Sequence, residues 1–198
     1  MADSRSTAAG AAAPSPLPTA APDRAPAARD AAPPPPARRP TPEALRWQWS
    51  RFDALTPADL YAALVLRQRV FILEQACVFV DADGVDGRAF HLLGWQADPR
   101  GAGRESLVAY LRLVDPGVKF AEPSIGRVVT APEARGRGHG RTLMREGLAA
   151  AARQYPGRAV RIAAQQRLEE FYASLGFVTT SAPYTEDGIP HLDMLRAG

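Results

Sequence analysis

Cysteine, lysine and long apolar runs are nearly absent from this chain, and each shortage removes a class of reading. Cys77 is the only cysteine in 198 residues. No intrachain disulfide can form, and no cysteine-based zinc site can be built. No apolar run approaches the ~18 residues that a membrane helix needs. The N-terminus lacks the apolar segment of a secretory signal, and Arg38-Arg39 is followed by prolines. A cytoplasmic protein with no membrane partner is the expectation. Lys119 is the only lysine, so nearly all of the 24 basic residues are arginine. Against 21 acidic residues they leave a net charge of +3. So small an excess gives nucleic acid no support as a partner.

What is present divides unevenly. Residues 1–42 hold 11 of the 19 prolines and have no aromatic residue, and their only β-branched residues are Thr7, Thr19 and Thr41. Such a segment buries too little apolar surface to offset the ordering of its backbone. It reads as a disordered tail with local polyproline-II character. That tail carries five arginines and three aspartates, which leaves 19 basic and 18 acidic residues beyond it. Residues 43–198 are therefore close to neutral and form the single expected domain.

Within that domain, strands and helices alternate. LRWQWSRF (45–52) alternates as a strand. Thr56, Pro57 and Asp59 mark a helix start, with an N-cap, a proline in the first turn and an early acid. Leu60, Leu64 and Phe71 form the apolar stripe expected of that helix. AFHLLGWQA (89–97) and SLVAYLRLVD (106–115) read as strands joined by a turn, and SIGRVVT (124–130) as a fourth. A helix is predicted from Gly138, with Leu143, Met144, Gly147, Leu148 and Ala151 on one face. RAVRIAA (158–164) is a fifth strand, and RLEEFYASLG a short helix capped by Gly176. FVTTS and YTEDGIPHLDM close the chain as a hairpin turning at Asp187-Gly188. The fold class is α/β, a mixed sheet flanked by helices.

Between the fourth strand and the next helix lies RGRGHG, Arg135 to Gly140. A dinucleotide fingerprint needs a third glycine where Arg141 stands, and a P-loop needs Gly-Lys-Ser/Thr, which is missing. The spacing R-x-x-G-x-G is satisfied by Arg135, Gly138 and Gly140. A helix starting there points unpaired N–H groups and the positive end of its dipole at an anion.

At this point the sequence resembles the GNAT family of N-acetyltransferases. VVTAPEARGRGHGRTLM (128–144) looks like its coenzyme-binding motif and FYASLGF (171–177) like its next segment. VFILEQ (70–75), FHLLGW (90–95) and YTEDGIPHLDM narrow the resemblance to the ElaA-like branch. The resemblance implies a GNAT-type acyl-CoA N-acyltransferase fold whose sheet splays between the fourth and fifth strands. It implies that main-chain groups of Val128, Val129 and Thr130 pair with pantetheine, and that Arg135, Gly136, Arg137, Gly138, His139, Gly140 and Arg141 hold the pyrophosphate of acetyl-CoA. The acceptor would be an amine, and no metal is implied.

An amine attacking a thioester must lose a proton, and an alkyl amine of pKa ~10.4 is mostly protonated at neutral pH. Glu74, His91, Glu186, Asp187 and His191 are the groups that could take it, or water could. Glu74 reads equally as a helix-end charge, His91 as a hydrogen-bonded structural histidine and Asp187 as turn chemistry. Tyr172 occupies the position of the family's acid for the departing thiolate, although packing with Leu168, Phe171 and Leu175 would also explain it. Direct transfer, as in the family, leaves Cys77 no covalent role. Asp81, Asp83 and Asp86 have calcium-like spacing without the glutamate that such a loop requires. The expectation is an acetyl-CoA-dependent N-acetyltransferase acting in a ternary complex, with a non-catalytic acyl-CoA-binding module as the alternative. The sequence carries no motif that bears on oligomeric state.

Overall fold

Residues 44–97 and 103–198 are described by a computed structural model. The tail expected over 1–42 and most of the turn expected after residue 97 lie outside them. Eight strands form one sheet: β1 (Arg46–Arg51), β2 (Ala89–Ala97), β3 (Glu105–Val114), β4 (Ser124–Thr130), β5 (Val160–Gln165), β6 (Val178–Thr179), β7 (Tyr184–Glu186) and β8 (Ile189–Arg196). Among the described residues three α-helices accompany them: α1 (Pro57–Arg67), α2 (His139–Gln154) and α3 (Glu169–Ala173). The sheet order is β1-β2-β3-β4-β5-β8-β6, with β7 paired to β8. All pairs are antiparallel except β4–β5.

The apolar run of β3 is continuous because both of its faces are covered. Val108 and Tyr110 pack with Ala63, Leu66 and Val70 on the α1 side. Ala109, Leu111 and Leu113 pack with Leu143, Met144 and Leu148 of α2. Helix α2 lies close to the sheet, since a Cβ on Gly147 would stand 2.6 Å from Leu111 Cδ2. Its five expected core positions are all buried.

Helix α1 starts as its sequence predicts. Thr56 Oγ1 accepts from the Asp59 N–H at 3.1 Å, and Asp59 Oδ2 accepts from the Thr56 N–H at 3.2 Å, a reciprocal cap. Its buried stripe differs from expectation. Ala63, Leu66, Arg67 and Val70 face the sheet, while Leu60, Leu64 and Phe71 are only partly covered. The helix widens into a π-helical stretch, Gln68–Glu74, and the α-helical spacing that links Leu64 to Phe71 does not continue through it.

A buried arginine within α1 requires partners, and it finds them in the loop before β2. Arg67 is 0% exposed; its Nε meets Asp81 Oδ2 at 2.8 Å and its Nη1 meets Asp86 Oδ1 at 3.0 Å. Arg112 of β3 joins Asp83 at 2.6 Å and Asp86 at 2.7 Å. Arg127 of β4 joins Asp81 at 2.8 Å and Asp83 at 3.2 Å. The spacing that suggests a calcium loop is thus matched by three arginines from three elements. Burial alone would raise the Asp86 carboxyl, but Arg67 and Arg112 hold it below its ordinary range. Asp83 is likewise held down, by Arg112 first and then Arg127, against its own desolvation.

Replacing Arg67 with Met should cost about 3 kcal/mol or more, because two buried aspartates lose a counter-ion. A denaturant midpoint compared with that of the wild type checks this. In the wild type the stabilisation from Asp83 and Asp86 is complete at neutral pH. It should be lost as pH falls below the ordinary carboxylate range toward their depressed values, which acid titration of stability measures.

Candidate active site

Strands β4 and β5 run parallel but meet at one register point, Ser124 opposite Arg161. Beyond it the two strands part. By contrast, β5 pairs with β8 over six positions, from Val160–Arg196 to Gln165–His191. On its other side β4 stays paired with β3, with a register shift between Tyr110 and Arg112. Arg127 sits at that bulge with φ +52°, a left-handed conformation rare for a non-glycine residue. Its guanidinium is fixed by Asp81 and Asp83 and lies 4.9 Å from the Phe79 ring centre. Among the described residues, no strand pairs with the edge of β4 around Val128, Val129 and Thr130 that faces β5.

A cavity of about 170 Å³ occupies this opening. Its walls include Ser124 to Val128 of β4, Ile162, Ala163 and Gln165 of β5, Phe71 from the π-helical stretch, and Cys77 and Phe79 from the loop after it. Tyr172 closes one side, and Glu186, Asp187 and His191 of the last hairpin close another. The hairpin turns at Asp187-Gly188, both at positive φ (49° and 79°), as an Asp-Gly turn should.

Tyr172 owes its place to the end of α3. The Phe177 N–H donates to Tyr172 O at 3.2 Å and the Gly176 N–H to Ala173 O at 2.9 Å, with Gly176 at φ +89°. This is a Schellman stop. It brings the Phe177 ring to 6.0 Å from the Tyr172 ring, which Phe171 meets edge-on at 5.1 Å. Tyr172 thus both packs and faces the cavity, and it is only 6% exposed. Burial pushes its hydroxyl up to about 12, so the phenol keeps its proton at neutral pH.

The glycine turn answers its own spacing. Gly136 (φ 76°) and Gly138 (φ 84°) are both left-handed, and Gly138 is the N-cap of α2. Gly140 has ordinary φ, and a Cβ there would meet nothing closer than Thr130 Cγ2 at 3.9 Å. The arginines are engaged from the side-chain end. Arg135 grips Glu74 at 2.6 and 2.8 Å and the Thr130 carbonyl at 3.3 Å. Arg141 donates to Ser174 Oγ at 2.9 Å. The hydrogen bonds from Arg135 hold Glu74 below the usual carboxylate range.

Of the residues singled out in the sequence, Val128, Tyr172, Cys77, Glu186, Asp187 and His191 line the cavity. Val129, Thr130 and the Arg135–Arg141 turn lie outside its lining, as do Glu74 and His91. His91 is fully buried. Its Nε2 can only donate to the Asp86 carbonyl (3.1 Å), so its Nδ1 accepts from the Tyr110 hydroxyl (2.7 Å). Burial lowers its pKa, and with both nitrogens used it is a structural residue rather than an available base. Sequence reasoning missed Arg112 and Arg127 as cavity walls. The signal was present, since an arginine inside the apolar run SLVAYLRLVD and three clustered aspartates call for each other.

This opened sheet, with a glycine-capped helix beside the free edge of β4, defines an acyltransferase of the GNAT class. The chain belongs to the GNAT family, in its ElaA-like branch. The Acetyltransferase (GNAT) domain family matches residues 104–196. A UPF0039 protein of Synechocystis is 40% identical over 151 residues, covering 76% of this chain and 94% of that protein. Protein ElaA of Escherichia coli is 38% identical over 154 residues, 77% of this chain and 96% of ElaA. Among solved structures, an acyl-CoA N-acyltransferase from Pseudomonas aeruginosa matches with a TM-score of 0.71 and 41% identity. It covers 78% of this chain and all of that one. The crystal structure of E. coli ElaA matches at 0.69 and 37% identity, over 77% and 99% of the two chains.

Gly138→Asp should abolish coenzyme binding while the fold survives. Aspartate is a favoured N-cap and tolerates the left-handed conformation, so α2 should still form. Its carboxylate, however, would repel a pyrophosphate at the helix N-terminus. Calorimetric titration with acetyl-CoA, beside circular dichroism, checks both parts.

Proposed function

We propose that this protein is an acetyl-CoA-dependent N-acetyltransferase whose acceptor is a primary amine, acylated by direct attack while both substrates are bound. The observation that carries this reading is the unpaired edge of β4 beside the N-terminus of α2, with Tyr172 on the cavity wall. Such an edge offers main-chain donors and acceptors to the amides of an extended pantetheine arm. Bound there, the coenzyme supplies a thioester carbonyl. Val128, Val129 and Thr130 align it, and a main-chain N–H, assigned to Val129, meets the oxygen as negative charge collects on it.

Gly136 to Arg141 hold the pyrophosphate mainly through first-turn N–H groups and the helix dipole. Arg135 joins them by exchanging Glu74 for phosphate. That exchange is cheap, since a half-exposed ion pair contributes only ~0–1 kcal/mol. Glu74 then acts as the resting counter-ion of Arg135 rather than as a proton acceptor. Cys77 takes no covalent part; it lines the cavity, and its thiol donates to the Asp187 carbonyl at 3.5 Å. Desolvation, with Asp187 beside it, pushes the thiol up and leaves little thiolate.

Tyr172 is the acid for the departing thiolate. With a pKa of about 12, it gives up its proton to sulfur favourably only if it receives one from the nitrogen as the carbon–sulfur bond breaks. Tyr172→Phe deletes the hydroxyl and keeps the rings packed. It should lower kcat roughly ten- to a thousandfold with little change in coenzyme affinity. Steady-state kinetics with an accepted amine, beside direct acetyl-CoA titration, tests this. An unchanged kcat with chemistry rate-limiting would leave Tyr172 a packing residue.

A further inference from the structure

The chain's two described strand histidines have opposite arrangements, and the difference assigns a role. His91 spends both ring nitrogens inside the protein. His191, at the start of β8, spends one. Its Nδ1 lies 2.8 Å from the Ile189 carbonyl, and a carbonyl can only accept, so Nδ1 carries the hydrogen in the neutral ring. Nε2 is then the lone-pair nitrogen. The residue is half-buried on the cavity wall, with Gln165 of β5 opposite it on one side and Tyr184 of β7 on the other. The Tyr184 ring stacks on the imidazole at 6.2 Å and 27°, and its hydroxyl donates to Asp193 Oδ1 at 2.9 Å. The ring is thus fixed on two counts, by a hydrogen bond behind and an aromatic face beside.

We infer that His191 Nε2 is the group that takes the proton from the acceptor ammonium before attack. This role rests on the acyl-transfer reading above. The titratable and charged groups that share the cavity wall with His191 are Glu186 and Asp187 of its own hairpin, Cys77 of the loop before β2, Arg112 of β3, Lys119 after it, Arg127 of β4, Arg167 after β5 and Tyr172 of α3. Arg112 is matched by Asp83 and Asp86. Arg127 is already matched by Asp81 and Asp83, and Arg167 donates to Gln165 Oε1 at 3.0 Å. Glu186 and Asp187 are exposed at the turn, where they favour the approach of a cation. An ammonium that meets His191 loses one proton to Nε2, and from there it passes to solvent. The freed lone pair forms the nitrogen–carbon bond. As the carbon–sulfur bond breaks, Tyr172 protonates the sulfur and regains a proton from the nitrogen. The sum is amide, thiol and one released proton.

The test compares two acceptors of nearly equal shape. One is 2-phenylethylamine, chosen because Phe71, Phe79 and Phe120 line the cavity. The other is 2,2-difluoro-2-phenylethylamine, whose fluorines make the nitrogen far less basic, so that it is mostly free base at mildly alkaline pH. His191→Ala should lower kcat/KM for the first by on the order of a hundredfold or more, and added imidazole should restore it. The fluorinated amine should be turned over nearly as well as by the wild type, and calorimetric acetyl-CoA affinity should be unchanged. Equal losses on both amines, without imidazole rescue, would overturn the assignment and leave acyl transfer standing. Transfer to neither amine by the wild-type protein would count against the proposed function and this role together.

Discussion

Three arginines from α1, β3 and β4 converge on three aspartates of one loop, and the opening between β4 and β5 depends on where that convergence holds Arg127. A non-glycine residue at φ +52° is strained, and here its side chain is fixed by two carboxylates and an aromatic ring. The bulge that it forms bends β4 away from β5 after one point of contact. A bulge increases local twist and ends regular pairing, which is what a strand must do to leave one edge free. The same aspartates carry the loop that supplies Cys77 and Phe79 to the cavity wall. Buried ion pairs add little net stability over apolar packing. Their effect here is read as positional, since they set where the strand bends and where the loop lies.

Chemistry around the opening is then sorted by environment rather than by residue type. Two histidines on strands differ because a carbonyl and a tyrosine use up one ring, while a single carbonyl orients the other. Tyr110 and Tyr172 are both buried and both pushed up by desolvation. Only Tyr172 faces the cavity, because the Schellman stop after α3 turns the chain back and sets Phe177 against it. Glu74 and Asp86 are both held down by arginines, but the first pair is half-exposed and exchangeable, whereas the second is locked inside the protein.

Most of the fold was legible in the sequence wherever a local rule decides the outcome. The reciprocal cap of Thr56 and Asp59, the Gly176 stop, the Asp187-Gly188 turn and the apolar face of α2 each follow from a few neighbouring residues. The resemblance to the GNAT family supplied the splay of the sheet, which no periodicity shows. What local rules did not reveal were tertiary effects. The buried face of α1 holds Ala63, Leu66 and Arg67 rather than Leu60 and Leu64, because Arg67 is drawn inward to the aspartates of the following loop. An arginine took a conformation that sequence reasoning reserves for glycine. His91 and His191 look alike in sequence, and only their hydrogen-bond partners separate them.

The central claim is that the free edge of β4 exists for acyl transfer and not for coenzyme binding alone. The direct measurement is release of coenzyme A thiol from acetyl-CoA across a panel of primary amines, with mass spectrometry of each amine. The account predicts thiol release that requires an amine, matched mole for mole by acetylated product. Tight acetyl-CoA binding with no amine-dependent thiol release across the panel would contradict it and leave a binding module.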